Sequence, residues 1–177
     1  MTNEERHLIK ECRIMVIGTD TFVAYLKSEL KSIGFSNIVV GNDTDYQKNS
    51  TTINIISKYG GNENSHFVSD IVSVPIIYTF DFVRGAGAIV IMPGDDKEVL
   101  AQTDLRLWAA EYMSGYCAFW NMEGCDWLGE ALPEIKAGVT NESTQRLAAH
   151  ICARIAANIA VGREVKHFPR FYLAGSE

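Results

Sequence analysis

The chain has 177 residues, of which 47% are hydrophobic and 21% are charged, and its formal net charge is −6. This length and composition predict one globular domain spanning residues 1–177, with room for a substantial core. A mildly acidic chain has no bulk attraction for nucleic acid or for an anionic membrane surface, so neither is expected as a partner.

Two further features of the sequence bear on location. The first 10 residues are charged and lack the apolar core of a signal peptide, and no apolar run is long enough to span a membrane. The cysteines, Cys12, Cys117, Cys125 and Cys152, form no C-x-x-C pair, which argues against a structural zinc site. A reduced, cytoplasmic protein is the simplest interpretation.

Strands and helices alternate along the first part of the chain. The unbroken apolar run 14–17 is typical of a strand buried on both faces of a parallel sheet. After it, Thr19 or Asp20 is placed to cap a helix and Gly34 to end it. For Asp20, the capping role is favoured over a role as metal ligand. The elements predicted here are a helix at 4–11, a strand at 13–18, a helix up to Gly34, a strand at 37–40, and a strand, or else a short helix, at 51–59.

The alternation continues through the second part of the chain. A helix at 97–113 is predicted from its apolar positions, with Gly115 as its end. Residues 141–162 form the longest predicted helix, and its many alanines allow close approach of the sheet or of a second subunit. The remaining predicted elements are strands at 73–78, 88–92 and 116–121, a short helical turn at 80–85 and an extended piece at 168–173.

This alternation predicts an α/β fold. Strands separated by helices pair in parallel through right-handed crossovers, which cover both faces of the sheet. The expected architecture is a three-layer Rossmann-like fold with a mostly parallel sheet and helices on both faces.

Three stretches resemble a known family. The first, RIMVIGTDTFVAYLKSELKSIGFSNIVVGND, resembles the opening of the ThiF/MoeB-type (ubiquitin-activating-enzyme-like) family. AGAIVIMPGDD is similar to the family strand that ends in a substrate-side loop, and AAHICARIAANIAVGREVKHFPRFYL to its late Ala-rich helix and closing strand. The resemblance covers most of the chain. It implies ATP and magnesium binding, adenylation of the C-terminus of a ubiquitin-like or sulfur-carrier protein, and a homodimer or a heterodimer with a related active subunit.

The nucleotide turn of this family is incomplete here. Its glycines let backbone N–H groups approach phosphates at a helix N-terminus, and the matching positions hold Gly18, Asp20 and Val23. The Asp20 carboxylate would repel phosphate oxygens at about 4 Å by roughly 1 kcal/mol in water, and by several times that at a partly dry site. A degenerate nucleotide site without a bound cofactor is therefore expected, and ATP with magnesium is the alternative.

The other positions implied by the resemblance are partly matched. Gly41 stands where an acidic residue would bind the ribose, with Asp43 just beyond it, and Lys48 is a nearby candidate for the triphosphate. Asp95 and Asp96 match the metal-binding aspartate of the family. At the carboxyl end of a parallel strand they could hold Mg²⁺, but a solvated turn that begins the next helix is favoured.

A catalytic cysteine is not favoured. Cys117 is expected to be buried in a strand, and Cys125 lies in a loop beside Asp126, whose negative charge disfavours a reactive thiolate. Cys12 and Cys152 are expected to be small core residues.

Aromatic residues are concentrated between positions 108 and 127. They are Trp108, Tyr112, Tyr116, Phe119, Trp120 and Trp127. Core packing is favoured for this group, and an exposed anchor for another chain is the alternative, because Trp and Tyr dominate interface hot spots.

An intact layout with a damaged nucleotide site favours a noncatalytic module that dimerises or binds a partner. The first alternative is an ATP-dependent adenylyltransferase acting on a ubiquitin-like or sulfur-carrier protein, with Asp95 or Asp96 on the metal and Lys48 or Lys58 on the phosphates. The second is an NAD-dependent oxidoreductase, which the incomplete glycine turn disfavours as much as it disfavours ATP.

Overall fold

The computed structural model describes residues 1–41, 52–57, 74–95, 99 and 102–176. Strands and helices alternate in the first part of the chain, and helices dominate the second. In chain order the elements are α1 (Asn3–Glu11), β1 (Arg13–Ile17), α2 (Asp20–Ile33), β2 (Asn37–Val40), β3 (Ile53–Ile56), β4 (Ile76–Asp81), β5 (Gly85–Ile91), α3 (Leu105–Phe119), α4 (Asp126–Lys136), α5 (Glu142–Ala160) and β6 (Tyr172–Gly175).

The strands form one sheet in the order β2-β1-β3-β4-β5-β6. The pairs β1–β2, β1–β3 and β3–β4 are parallel, whereas β4–β5 and β5–β6 are antiparallel. The carboxyl ends of β1 to β4 therefore lie along one edge of the sheet. Because β2 and β3 lie on opposite sides of β1, the strand order reverses there, which makes this edge the topological switch point. We call it the switch-point edge.

Helices cover both faces of the sheet, which confirms the predicted three-layer Rossmann-like α/β fold. In β1, Ile14 and Val16 point into a core shared with α1, α2 and α5. The alternate residues Met15 and Ile17 point into a second core shared with α3 and α4. All four side chains are buried, as the unbroken apolar run predicts for a strand with both faces covered.

The buried alanines of α5 pack on the sheet. Ala149 and Ala153 of α5 are fully buried and belong to the same core as Ala86 and Ala88 of β5, which are also fully buried. Small side chains on both sides allow the helix to lie close to the strands. Of the two alternatives left open by the sequence, the contact with the sheet is the one observed.

The predicted helical turn at 80–85 is wrong, because β4 continues to Asp81 and residues 82–84 turn directly into β5. In this hairpin, the Phe82 N–H donates to the Gly85 carbonyl at 2.9 Å. The Asp81 carboxylate accepts from the N–H of Val83, which has a φ of 70°. So short a connection cannot form a parallel crossover, so β5 runs antiparallel to β4.

The predicted strand at 116–121 is also wrong. Helix α3 passes through Gly115 and ends at Phe119, and Asp104 caps its start by accepting from the Leu107 N–H at 3.2 Å. Gly115 is not a helix end, and an added Cβ there would meet nothing within 4 Å. Asn121, with a φ of 51°, lies in the turn after the helix, and α4 follows. Within the described part of the chain, no helix has both the length and the apolar character needed to cross a bilayer.

Candidate functional site

Gly18 ends β1 at the switch-point edge, where the sequence placed a nucleotide turn. Ser57, just after β3, donates its backbone N–H to the Ile17 carbonyl at 2.8 Å. A Cβ built on Gly18 would lie 2.2 Å from the Ser57 Oγ and 3.3 Å from the Phe22 Cδ1. The space beside Gly18 is therefore occupied by the side chains of Ser57 and Phe22.

The two residues that replace glycines in this turn have different environments. Asp20 is the exposed first residue of α2, but the N-cap is Thr19, whose hydroxyl accepts from the Phe22 N–H at 3.5 Å. The predicted capping role of Asp20 is therefore taken by Thr19, and the Asp20 carboxylate lies in the first turn. Val23 is 8% exposed and belongs to the core between α2 and the sheet.

Gly41, the position predicted to bind a ribose, takes part in the backbone hydrogen bonds between β1 and β2. The Gly41 N–H donates to the Val16 carbonyl at 2.9 Å, which extends the pairing of β1 and β2 by one bond. Gly41 has no side chain with which to bind a sugar. The other predicted contacts, Asp43, Lys48 and Lys58 on a nucleotide and Asp96 on a metal, lie outside the described residues.

Asp95 lies at the opposite edge of the sheet from Gly18. Ile91, the last residue of β5, pairs with Ile76, the first residue of β4, so β5 ends where the parallel strands begin. The premise that Asp95 follows a parallel strand is wrong. Since β5 spans about 20 Å, the structure does not bring Asp95 and Gly18 into one site.

The Asp95 carboxylate has two partners within the protein. It accepts from the Met92 N–H at 2.8 Å and lies 2.8 Å from the Nδ1 of His167, and the side chain is only 12% exposed. These contacts join the end of β5 to the segment before β6. Among the residues that the structure describes, no group of three or more His, Cys, Asp or Glu side chains could hold a metal ion.

A small cleft of about 100 Å³ opens at the switch-point edge. Sequence reasoning did not single out any of its polar residues apart from the cap Thr19, although Ser57 and Asp81 stand at or just after the ends of parallel strands, where the rule for ligand sites applies. Its lining residues are Thr19, Phe22, Ser57, Thr79, Asp81, Arg106, Thr140, Gln145 and Ala148. The volume suits a few water molecules rather than a nucleotide.

Some polar groups of this cleft are used by the fold, whereas the buried Ser57 Oγ and Gln145 Oε1 have no hydrogen-bond partner among the described residues. Arg106 donates its Nε to the Asp81 carbonyl at 2.7 Å and an Nη to the Val139 carbonyl at 2.5 Å. The Asp81 carboxylate accepts from the Asn141 N–H at 2.7 Å and from the Thr144 hydroxyl. These bonds fix the hairpin to the start of α5.

A second candidate site lies at the corner between α3 and α4. Four large apolar side chains are exposed there, and we call them the corner patch: Tyr116 (38%), Phe119 (79%), Trp120 (62%) and Met122 (45%). The rings of Phe119 and Trp120 meet edge to face with centroids 5.1 Å apart. The patch is contiguous, because Tyr116 lies 6.3 Å from Trp120 between ring centroids.

The other aromatic residues of this region pack against the protein. Trp108 and Tyr112 stack with centroids 5.2 Å apart on the second core. The Trp127 ring lies against β5 and β6, since a Cβ on Gly85 or Gly175 would come within 2.3 Å or 2.9 Å of it. The expected aromatic cluster is therefore divided between packed residues and an exposed patch.

A cleft of about 300 Å³ lies beside the corner patch and carries acidic residues at its rim. Its lining residues are Ser114, Cys117, Ala118, Asn121, Met122, Cys125, Asp126, Gly129 and Glu130. Glu130 pairs with Arg84 at 3.3 Å. Glu123 and Asp126 are exposed, and neither forms an ion pair within the described part of the chain.

The two cysteines of this cleft are close together. Cys117 is 4% exposed and lies in α3, not in the predicted strand, although its expected burial is confirmed. Burial, together with a hydrogen bond to the Cys125 thiol, raises the pKa of Cys117 to about 12. Cys12 and Cys152 are buried core residues, as predicted, and burial raises the pKa of both thiols.

Comparison with known proteins shows a likeness of fold. No family model and no curated protein matches the sequence. A solved structure described as a heterocyclase in complex with substrate and cofactor is similar over 89% of this chain, with a TM-score of 0.50 and 18% sequence identity. The match covers 20% of the heterocyclase chain, so this chain spans about a fifth of that protein's length. At this identity the likeness concerns the fold alone.

Proposed function

We propose that this chain is a noncatalytic module of ThiF-like fold that binds a partner protein through the corner patch. The observation that carries the proposal is the exposure of Phe119 and Trp120, at 79% and 62%. Aromatic side chains bury about 150–250 Å² each at interfaces and are enriched among the residues that dominate binding energy. A contiguous exposed apolar patch is a common mark of a protein-binding surface.

The charges around the patch favour a different protein over a second copy. In a symmetric dimer through this surface, Glu123 and Asp126 of both copies would lie at the same interface. Like charges brought together at an interface disfavour association. We therefore infer a partner with apolar side chains for the patch and Lys or Arg side chains for the acidic rim. A homodimer through this patch is the alternative outcome.

The absence of catalysis is supported by the surroundings of Gly18. Ser57 and Phe22 occupy the space beside this glycine, and the adjacent cleft of about 100 Å³ is smaller than a nucleotide requires. Asp20 adds an exposed negative charge at the same helix start. An ATP-dependent adenylyltransferase would require this edge to open and the charge to be neutralised.

The fold likeness suggests what kind of partner to test. In the heterocyclase structure, a similar fold takes up about a fifth of a much longer chain that holds substrate and cofactor. We propose that the partner bound at the corner patch carries catalytic parts. Proteins encoded next to this chain's gene are the first candidates.

Nucleotide binding is tested by a thermal-shift panel of ATP with Mg²⁺, AMP, NAD and FAD at millimolar concentration. We expect no shift, and no pyrophosphate release from ATP in the presence of ubiquitin-like or sulfur-carrier proteins. A ligand at 100 times its dissociation constant stabilises by about 2.7 kcal/mol, which the panel would detect. A reproducible shift with ATP, together with carrier-dependent pyrophosphate release, would establish the adenylyltransferase instead.

Partner binding is tested by titrating each neighbouring-gene protein onto this chain. Trp120→Ala should weaken a genuine complex by about 30-fold or more, the effect of losing a hot-spot residue. Leu8→Ala is the matched control, because Leu8 is an exposed apolar residue (40%) on α1, whose helix packs on the opposite face of the sheet. Equal affinity of the Trp120→Ala variant and the wild type would refute the corner patch as the docking surface. A doubled mass that Trp120→Ala reduces to the monomer would favour the homodimer.

A further inference from the structure

Cys117 and Cys125 lie on either side of the turn that carries most of the corner patch. Cys117 is in the last turns of α3, and Cys125 immediately precedes α4. The Met122 N–H donates to the Cys117 carbonyl at 2.9 Å, and Gly124 has a φ of 80°, so the chain folds back tightly between them. Both side chains line the same cleft of about 300 Å³, and the neighbouring Cys125 thiol is one of the causes that raise the pKa of Cys117.

We propose that Cys117 and Cys125 form a reversible intramolecular disulfide, with a low-molecular-weight disulfide as oxidant. The two thiols differ in accessibility, as the two steps of such an exchange require. Both thiols line the cleft, but Cys125 is partly exposed whereas Cys117 is only 4% exposed. Cys125 is therefore the residue that meets the oxidant, and Cys117 is the residue that resolves the intermediate.

The oxidation proceeds by two successive thiol–disulfide exchanges. The Cys125 thiol loses its proton, and its sulfur attacks one sulfur of the small disulfide, which releases one small thiolate and leaves a mixed disulfide on Cys125. The Cys117 thiol then loses its proton and attacks the Cys125 sulfur, which releases the second small thiolate. Two protein thiols are oxidised to one disulfide, and the small disulfide is reduced to two thiols that take up the two protons.

The raised pKa of Cys117 makes this thiol the less reactive of the two towards a dissolved oxidant. Because burial keeps this thiol protonated at neutral pH, it does not react with the oxidant directly. Its reaction depends on the mixed disulfide being formed within contact distance on Cys125. Cys12 and Cys152 are also buried, and neither lines this cleft, so both should stay reduced.

A disulfide here would act on the corner patch. Phe119, Trp120 and Met122 all lie between the two cysteines, and Met122 also lines the cleft. Joining the two sulfurs fixes the ends of this turn and narrows the cleft beside the patch. This regulatory consequence rests on the proposed partner binding, whereas the disulfide itself does not.

The chemistry is tested on the full chain in glutathione buffers of increasing oxidised fraction. We expect the intact mass to fall by two hydrogens, peptide mapping to join Cys117 to Cys125, and dithiothreitol to restore the original mass. Cys117→Ser should instead retain one glutathione on Cys125, because the resolving thiol is missing. A glutathione adduct that persists on the wild type, a bond to Cys12 or Cys152, or fully reduced protein throughout would overturn the proposal. The wild-type result suffices if a variant does not fold.

The regulatory step has a separate readout. Reduced and oxidised protein are titrated with the partner, and we expect oxidation to weaken binding by about tenfold. Oxidation without any change in affinity would refute the switch and leave the disulfide established. Failure of both forms to bind any partner would count against the proposed function alone.

Discussion

Gly18 is a residue that matches a nucleotide-binding motif, but in this protein its lack of a side chain serves the packing of neighbouring residues. The family resemblance places it in an incomplete phosphate-binding turn. In the structure, the Ser57 Oγ lies 2.2 Å from where a Cβ would stand. This requirement comes from another strand, 39 positions away, so no local pattern around Gly18 could reveal it.

We predict that Gly18→Ala lowers the free energy of unfolding by about 1 kcal/mol, the lower end of the cost of forcing a methyl group into a packed site, because the Ser57 hydroxyl has no hydrogen-bond partner to lose when it rotates away. Ser57→Ala should restore most of this loss, because the Ser57 Cβ would lie 3.5 Å from the new methyl, an ordinary contact. Urea unfolding of both single variants and the double variant gives the coupling energy. A Gly18→Ala loss of the same size with and without the Ser57 hydroxyl would contradict this explanation.

At the scale of helices and strands, the sequence predicts best where the apolar pattern is continuous. The strand 37–40 has the predicted bounds, and α1, α2 and α5 match within a few residues. The pattern misleads where a glycine stands inside a helix. Because glycine commonly ends a helix, the sequence predicts a helix end at Gly115 and a strand where the last turn of α3 lies. The sequence analysis does not predict α4.

Gly115 gives a direct test of the observed helix. It lies in the interior of α3 and is exposed, and an added Cβ meets nothing within 4 Å. Gly115→Ala should therefore raise the free energy of unfolding by about 0.5–1 kcal/mol, the difference in helix propensity between the two residues.

The matched control for this variant is Gly138→Ala. Gly138 also has open space around it, but its φ of 81° belongs to the left-handed region, so alanine there should destabilise by about 1 kcal/mol. Chemical denaturation of the two variants should show shifts of opposite sign. Destabilisation by both would mean that Gly115 ends a helix, as the sequence first suggested.

The β4–β5 hairpin is the element that separates the predicted site residues. The sequence placed Asp95 after a parallel strand, near Gly18, because strand direction was inferred from alternation with helices. The short segment 82–84 carried the contrary signal, since no parallel crossover can be so short. Reading that connection length would have placed Asp95 at the far edge, beside the segment of His167.

For the whole molecule, the buried thiols should make the free energy of unfolding decrease at alkaline pH. Cys12, Cys117 and Cys152 are all at most 5% exposed, and burial raises the pKa of each. In the unfolded chain these thiols ionise near pH 9, the ordinary value. Between pH 9 and the folded-state pKa, about 12 for Cys117, the folded state holds more protons than the unfolded state. The free energy of unfolding therefore falls as the pH rises through this window.

We predict a loss of up to about 1.4 kcal/mol per pH unit for each buried thiol above pH 9, measured by urea unfolding under reducing conditions. Cys152→Ala removes one of these thiols, so its slope should be shallower than that of the wild type over the same range. Below pH 8 the thiols contribute no slope in either protein. Parallel slopes above pH 9 would contradict the assignment to buried cysteines.

The different exposure of the three tryptophans also affects the intrinsic fluorescence of the protein. Trp108 is stacked on Tyr112 and Trp127 is packed against strand glycines, whereas Trp120 is 62% exposed. The fluorescence should therefore contain two partly shielded contributions, from Trp108 and Trp127, and one from Trp120 that iodide ions in solution quench more strongly. The Trp120 indole lies in the corner patch, so a bound protein that covers it would reduce quenching by iodide. The intrinsic fluorescence of the native chain can therefore measure partner binding without an added dye.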